Sequence, residues 1–198
     1  MVEKYRDAAY PPLHPTLQHP KNMSDKRRTQ SYQVTDTNFR LIDISTPINF
    51  EQVTSVIAFP FTNDGKLVTV KLQRGLDVPG GHVQTNETSV EAVARRETLE
   101  EAAVTLGEIS IIGIIESEYF GTEPDQLTYI LAVTAFVAEI HPFTANEEVS
   151  TRLIITPEAF LEEYGINRQN TVVKIMANLV SNAQAYLKLK LSTENTDI

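Results

Sequence analysis

Three glutamates, Glu97, Glu100 and Glu101, stand at i, i+3 and i+4, which places them on one face of a helix. The segment around them reads as a helix over roughly 89–103, and the same face opens with Val90, Val93 and Ala94. The stripe that should dock on the body of the protein therefore starts apolar and ends in three carboxylates. Carboxylates about 6 Å apart repel by roughly 3 kcal/mol per pair at an effective dielectric of about 20, and burial beside an apolar stripe adds desolvation. Protonation of one acid relieves this, as does a divalent cation, and a fully solvated face would need neither. A set of oxygen ligands, without paired histidines or thiolates, suits Mg²⁺ or Mn²⁺ rather than zinc.

Upstream, Val78-Pro79-Gly80-Gly81-His82-Val83 reads as a tight glycine turn that brings backbone amides and carbonyls close to a ligand. A glycine turn, a loop and a helix with an acidic end make a candidate metal–diphosphate site. Arg74, just before the turn, supplies a candidate cationic contact to phosphate. Glu147 and Glu148 occupy a loop ahead of a strand, and Glu116 and Glu118 alternate along a strand, facing either a cleft or solvent. His14, His19, His82 and His141 show no spacing that suggests a metal site.

These residues need elements to hold them. Val53–Phe61 and Leu67–Leu72 flank Asn63-Asp64-Gly65-Lys66, and Asp-Gly between β-rich runs signals a hairpin. A strand is expected at Phe39–Ile44, two long ones at Ile109–Tyr119 and Leu127–Ile140, and a shorter one at Val149–Ile155. Strands on both sides of the acidic helix predict an α/β fold, a mixed-sheet sandwich. Thr156-Pro157-Glu158 reads as a helix start. From about 168 to 190, Val172, Ile175, Met176, Leu179, Ala183 and Tyr186 share one helical face suited to docking on the sheet. A second stripe, Val173, Val180 and Leu187, offers a contact for a homodimer.

The 198 residues favour one domain with appendages: an N-terminal extension over 1–36 and a domain over 37–198. The extension carries four prolines and the cluster Lys26-Arg27-Arg28. Its six basic and four acidic residues leave eleven basic and twenty-two acidic for the rest, a net of −11. That charge argues against a nucleic-acid track. The absence of cysteine excludes disulfides, thiolate metal sites and cysteine nucleophiles. No apolar run approaches a membrane span, and the first residues lack the apolar core of a secretory signal, so a cytoplasmic location is expected.

The segment Gly81–Val104, GHVQTNETSVEAVARRETLEEAAV, resembles the Nudix box, G-x5-E-x7-R-E-U-x-E-E-x-G-U with U aliphatic. Gly81 and Glu87 fit, as do Arg96-Glu97 and Glu100-Glu101, and the approach Leu76-Asp77-Val78-Pro79-Gly80 is similar too. The resemblance spans roughly 38–190. Eight residues rather than seven separate Glu87 from Arg96, Thr98 replaces an aliphatic, and Ala103 replaces the last glycine. By helix register the loop acid would fall on Thr88, and Thr88-Ser89-Val90-Glu91 also reads as a capping box. Ala103 is expected to extend the helix by one residue.

The resemblance implies a Nudix-type α/β/α sandwich with C-terminal helices, and hydrolysis of a nucleoside diphosphate linked to another moiety with Mg²⁺ or Mn²⁺. It implies Glu97, Glu100, Glu101 and the Gly81 carbonyl as metal ligands, with Glu100 and Glu101 catalytic. Glu147 or Glu148 becomes a candidate general base. Arg96, expected across the helix from the acids, and Glu87 become structural members of the motif. Tyr119 lies near a tyrosine position of some diadenosine-polyphosphate hydrolases in that family and is a candidate for base stacking. The expected partner is a small nucleotide rather than a nucleic acid or a membrane. A non-catalytic nucleotide-sensing domain of the same fold is the alternative, and the complete acidic triad argues against it. Deleting residues 1–36 should leave a folded domain, because the strand and helix signals lie beyond them. A cooperative melt of the truncated protein checks this, and an insoluble product would place the extension within the fold.

Overall fold

Residues Val53–Phe61 are buried on both faces, with Val56 and Ala58 in one apolar cluster and Ile57, Phe59 and Phe61 in another. A strand of that kind needs a covering layer on each side. The structure, a computed structural model, describes residues 39–118, 127–166 and 168–194. In chain order these form β1 (Phe39–Ile42), β2 (Val53–Phe61), β3 (Leu67–Leu72), β4 (Gly75–Asp77), β5 (Gly80–His82), α1 (Val90–Ala102), β6 (Val104–Leu106), β7 (Ser110–Ser117), β8 (Thr128–Ile140), β9 (Val149–Ile155), α2 (Pro157–Tyr164) and α3 (Asn170–Glu194). Residues 1–36, with Lys26-Arg27-Arg28, and Tyr119 lie outside the described residues.

The sheet is mixed. β2 runs parallel to β8, and β7 and β1 continue antiparallel from β8. On the other side β2 turns into β3 through Asp64-Gly65, where Gly65 takes a φ of 79°, and β3 carries β4 and β9. α1 covers one face with Val93, Ala94 and Ala102. α2 and α3 cover the other with Phe160, Tyr164, Ile175, Met176, Leu179 and Ala183. The fold is the expected α/β/α sandwich. A bulge in β7 between Ile111 and Gly113 lets Ile112 and Ile115, three apart, enter the same core. A Cβ on Gly113 would overlap Leu179, so α3 sits directly on that strand. No helix among the described residues is long and apolar enough to cross a membrane.

Four expectations change. Val180 and Leu187 are buried in the core under α3, so two of the three residues of the second stripe pack inward and are not available to a partner subunit. Gly80-Gly81 is not a turn but strand β5, paired antiparallel with β2. A Cβ on Gly80 would stand 2.6 Å from the Val56 carbonyl oxygen, so glycine there serves a close approach. The helix is capped by Ser89, not Thr88, and the Ser89 hydroxyl accepts from the Ala92 amide at 3.2 Å. Ala103 does not extend the helix: it is the C-cap, with φ 51° and ψ 46°.

That left-handed conformation strains any residue with a Cβ. Arg152 on β9 helps hold it, donating to the Ala102, Ala103 and His141 carbonyls at 2.9, 3.2 and 2.9 Å, and its charge suits a helix C-terminus. Ala103→Gly should raise unfolding free energy by about 0.5–1 kcal/mol, the relieved strain being partly offset by extra unfolded-chain entropy. Urea denaturation reads this directly, and a destabilised variant would contradict the strain.

Candidate active site

The cap at Ser89 sets the register of α1. Val93 and Ala94 dock on the sheet, and one turn later the same face meets the backbone of β5. Glu97 is only 3% exposed and its carboxylate lies against the α-carbon of Gly81, where a Cβ would overlap it. Glu101 is 5% exposed and its Oε2 accepts from the Gly80 amide at 2.8 Å. Two adjacent glycines on one short strand thus seat two carboxylates. Glu100 reaches further out and is half-exposed.

Arg96 ties the acidic turn to the preceding loop. Its Nε and Nη2 donate to the two oxygens of Glu87 at 2.7 and 3.1 Å, and Nη2 also donates to the His82 carbonyl at 3.0 Å. The extra residue of the box is absorbed between Glu87 and the Ser89 cap, so the loop acid reaches the arginine. Arg96 does not stay across the helix from the acids. It is four residues before Glu100 and so shares a face with it, and Nη1 donates to Glu97 and, at 3.1 Å, to Glu100. Thr98 takes an aliphatic position by donating its hydroxyl to the Ala94 carbonyl at 2.8 Å.

Electrostatics extend the site. Burial pushes Glu97 up to about 7, against the pull of Arg96 and with help from Glu100 and Glu87. Burial also pushes Glu101 well above the usual carboxylate range, opposed by the Gly80 amide and Arg74 and reinforced by Glu97 and Glu148. Glu148 is raised to about 7, first by burial and then by Glu97 and Glu100, with Arg74 opposing. Glu148 and Arg74 therefore share the electrostatic neighbourhood of the triad, whereas Glu147 is exposed. Arg74 is anchored by its Nε, which donates to Asp77 at 3.1 Å.

Other candidates stand elsewhere. Glu116 pairs with Arg40 on the neighbouring strand, and Glu118 is exposed. The His82 ring stands 3.4 Å from the Ser55 hydroxyl. Sequence reasoning missed Asp77, Arg152 and Arg168; a lone acid in a glycine approach and single arginines near strand or helix starts carry no spacing signal.

Among the described residues no three acidic or histidine side chains converge as a ready set of ligands, and Arg96 is the cation that Glu97 and Glu100 meet. The donor chemistry nonetheless fits a hard divalent ion: Glu97, Glu100, Glu101 and Glu148 offer only oxygen, and three of them are destabilised as anions by burial.

The sequence profile of the NUDIX domain matches residues 51–174. The chain belongs to the NUDIX family. Solved structures support the fold. The Bacillus subtilis pyrophosphohydrolase BsRppH superposes with a TM-score of 0.54 at 16% identity, covering 72% of this chain and 89% of its own. The NUDIX domain of NrtR from Shewanella oneidensis, complexed with ADP ribose, gives 0.52 at 18% identity, covering 69% and 88%. An Ap4A hydrolase from C. elegans gives 0.52 at 17%, covering 69% and 98%. A comparison with curated protein sequences finds no match.

The raised carboxyls give this NUDIX hydrolase a pH signature. Glu97 ordinarily titrates at 4.5 but near 7 in the fold, so between those values the folded state holds a proton that the unfolded chain has lost. The stabilisation from this group is full below about 4.5 and is lost as pH rises through 7. In EDTA the Tm should fall by several degrees between pH 5 and 8, and Glu97→Gln should flatten that slope. Mg²⁺ should raise the Tm more at pH 8, where it competes with fewer protons. A wild-type Tm that does not change with pH would refute the burial argument.

Proposed function

We propose that this NUDIX hydrolase is a divalent-metal-dependent pyrophosphohydrolase that cleaves a nucleoside diphosphate linked to another moiety, by attack of water at phosphorus. The observation that carries the reading is that Glu97 and Glu101 lie on the Gly80-Gly81 backbone, with Glu100, Glu148 and Arg74 within their electrostatic reach. Glu97, Glu100, Glu101 and the Gly81 carbonyl would hold Mg²⁺ or Mn²⁺, which when bound neutralises phosphate oxygens and acidifies water.

Glu148 is the favoured general base. Half-buried and titrating near 7, it is matched to accepting a proton at neutral pH. Glu147, one residue earlier, is exposed. Arg74 binds a phosphate oxygen and so offsets charge on the diphosphate and its leaving group. Glu87 and Arg96 hold the acidic turn in register. Tyr119, outside the described residues, is the candidate for stacking on the base.

A small nucleotide is favoured over nucleic acid. The NrtR domain binds ADP ribose and the C. elegans protein is an Ap4A hydrolase, and the body of this chain, at −11, lacks a basic track that gains from counterion release. The test is a Mg²⁺-supported assay on ADP-ribose, Ap4A and a 5′-triphosphorylated oligonucleotide. The small nucleotides should react faster, with little change between about 50 and 200 mM salt. Glu101→Gln should lower turnover at least ~100-fold while keeping or raising stability, because a buried charge is removed. Glu148→Gln should cost about 10²–10⁴-fold and Glu147→Gln only a few-fold. Preference for the oligonucleotide with steep salt dependence would reject the substrate class, and full activity of Glu101→Gln would reject the site.

A further inference from the structure

Asp77 is an unusual residue for the rim of an acidic site. Its side chain is 1% exposed, and it lies on β4, three residues before Gly80. One oxygen accepts from the Val78 amide at 2.9 Å, and the other accepts from Arg74 Nε at 3.1 Å and Arg168 Nη2 at 3.2 Å. Arg168, just ahead of α3, is 6% exposed, donates to the Leu76 carbonyl at 3.1 Å and lies over the Tyr164 ring at 4.0 Å. One buried carboxylate therefore serves two guanidinium groups. Neutralising Arg168 would require only one of those bonds. The second ends on Arg74, and among the described residues the Nε bond is the only hydrogen bond of that side chain.

We propose that Asp77 is a positioning residue for phosphate binding: it holds Arg74 by Nε and so presents the two terminal nitrogens to a substrate phosphate beside Glu101 and Glu148, while Arg168 locks Asp77 to the C-terminal helices. This rests on the reading of Arg74 as a phosphate ligand. The logic is that of the guanidinium fork. Bonding Nε fixes the plane of the group and leaves its terminal nitrogens available to oxygens, so less freedom is lost when substrate arrives. The side chain otherwise has four rotatable bonds and would sample many orientations in an 18% exposed setting.

The test is a double-mutant cycle read by calorimetric binding of ADP, with Mg²⁺, to the full chain. Asp77→Asn should weaken ADP binding about 10-fold, and the same change made in Arg74→Ala should cost under about 2-fold. Equal losses in both backgrounds would overturn the proposal. Because Asp77→Asn leaves two cations near one neutral amide, Asp77→Asn with Arg168→Met provides a variant without the buried excess charge. Arg168→Met alone should lower the Tm and, by loosening Asp77, weaken ADP binding about 2- to 3-fold, and adding Asp77→Asn should then bring the loss to about 10-fold. If the double variant binds like Arg168→Met, Asp77 is merely structural. A second readout needs no ligand. The Arg74 Nε–H resonance, identified by its disappearance in Arg74→Lys, should exchange slowly with solvent in the wild type and faster once Asp77 is Asn. Failure of ADP to bind the wild type would reject the phosphate reading of Arg74, whereas unchanged Nε–H exchange would reject the positioning by Asp77.

Discussion

Everything at this site depends on two carboxylates being pressed against one short strand. Glu101 takes the Gly80 amide and Glu97 lies on the α-carbon of Gly81. A Cβ on Gly81 would overlap the Glu97 carboxylate, and one on Gly80 would run into the Val56 carbonyl of β2, so both positions of β5 need glycine. The helix must therefore begin at a defined residue, which the Ser89 cap secures, and end where it does, which Ala103 and Arg152 secure. The strand must in turn be held flat on β2, and its pairing with Ser55, Val56 and Ile57 does that. A cluster that destabilises the fold is tolerated because the elements around it leave the side chains no alternative, a common feature of functional sites.

The sequence made a large share of this legible. β-rich runs and the Asp64-Gly65 hairpin signal located β2, β3, β7, β8 and β9, the pattern of helical faces located α1 and α3, and the Thr156-Pro157 start located α2. The acidic face of α1 was readable because a spacing of three and four residues has one meaning on a helix. The strands β4, β5 and β6 were not, each being three residues long and too short to show alternation. Glycine is also ambiguous: Gly80-Gly81 reads as a turn when judged by backbone freedom, yet neither takes a positive φ, and both are there for close approach.

Side chains that reach across elements were the least legible. Arg96 was expected across the helix from the acids, but it stands four residues before Glu100 and so beside it, and its fork meets Glu87, Glu97, Glu100 and a carbonyl at once. Asp77 and Arg168 are ninety-one positions apart and meet through the docking of α2, and the loop that follows it, on β4. Of Glu147 and Glu148, nothing in the sequence distinguishes the exposed one from the half-buried one; the difference comes from the path of the loop into β9, where the Asn146 side chain accepts from the Glu148 and Val149 amides.

The two arginines beside the cluster show how hydrogen-bond use separates a structural cation from one available for chemistry. Arg96 spends all three of its nitrogens on carboxylates and a carbonyl, so recruiting it to a substrate would break several charge-assisted bonds at once. Among the described residues Arg74 spends only Nε, and its charge is already felt by Glu101 and Glu148. An incoming phosphate could engage its terminal nitrogens without disturbing a bond that holds the fold. The same comparison applies to the acids. Glu101 is pinned by a backbone amide, whereas Glu148 is half-buried on a loop and raised to a neutral titration, so the first is suited to a fixed ligand and the second to a group whose protonation changes during turnover. Rigidity and freedom are thus distributed among like residues by their hydrogen bonds, and that distribution rather than residue type is what assigns the roles.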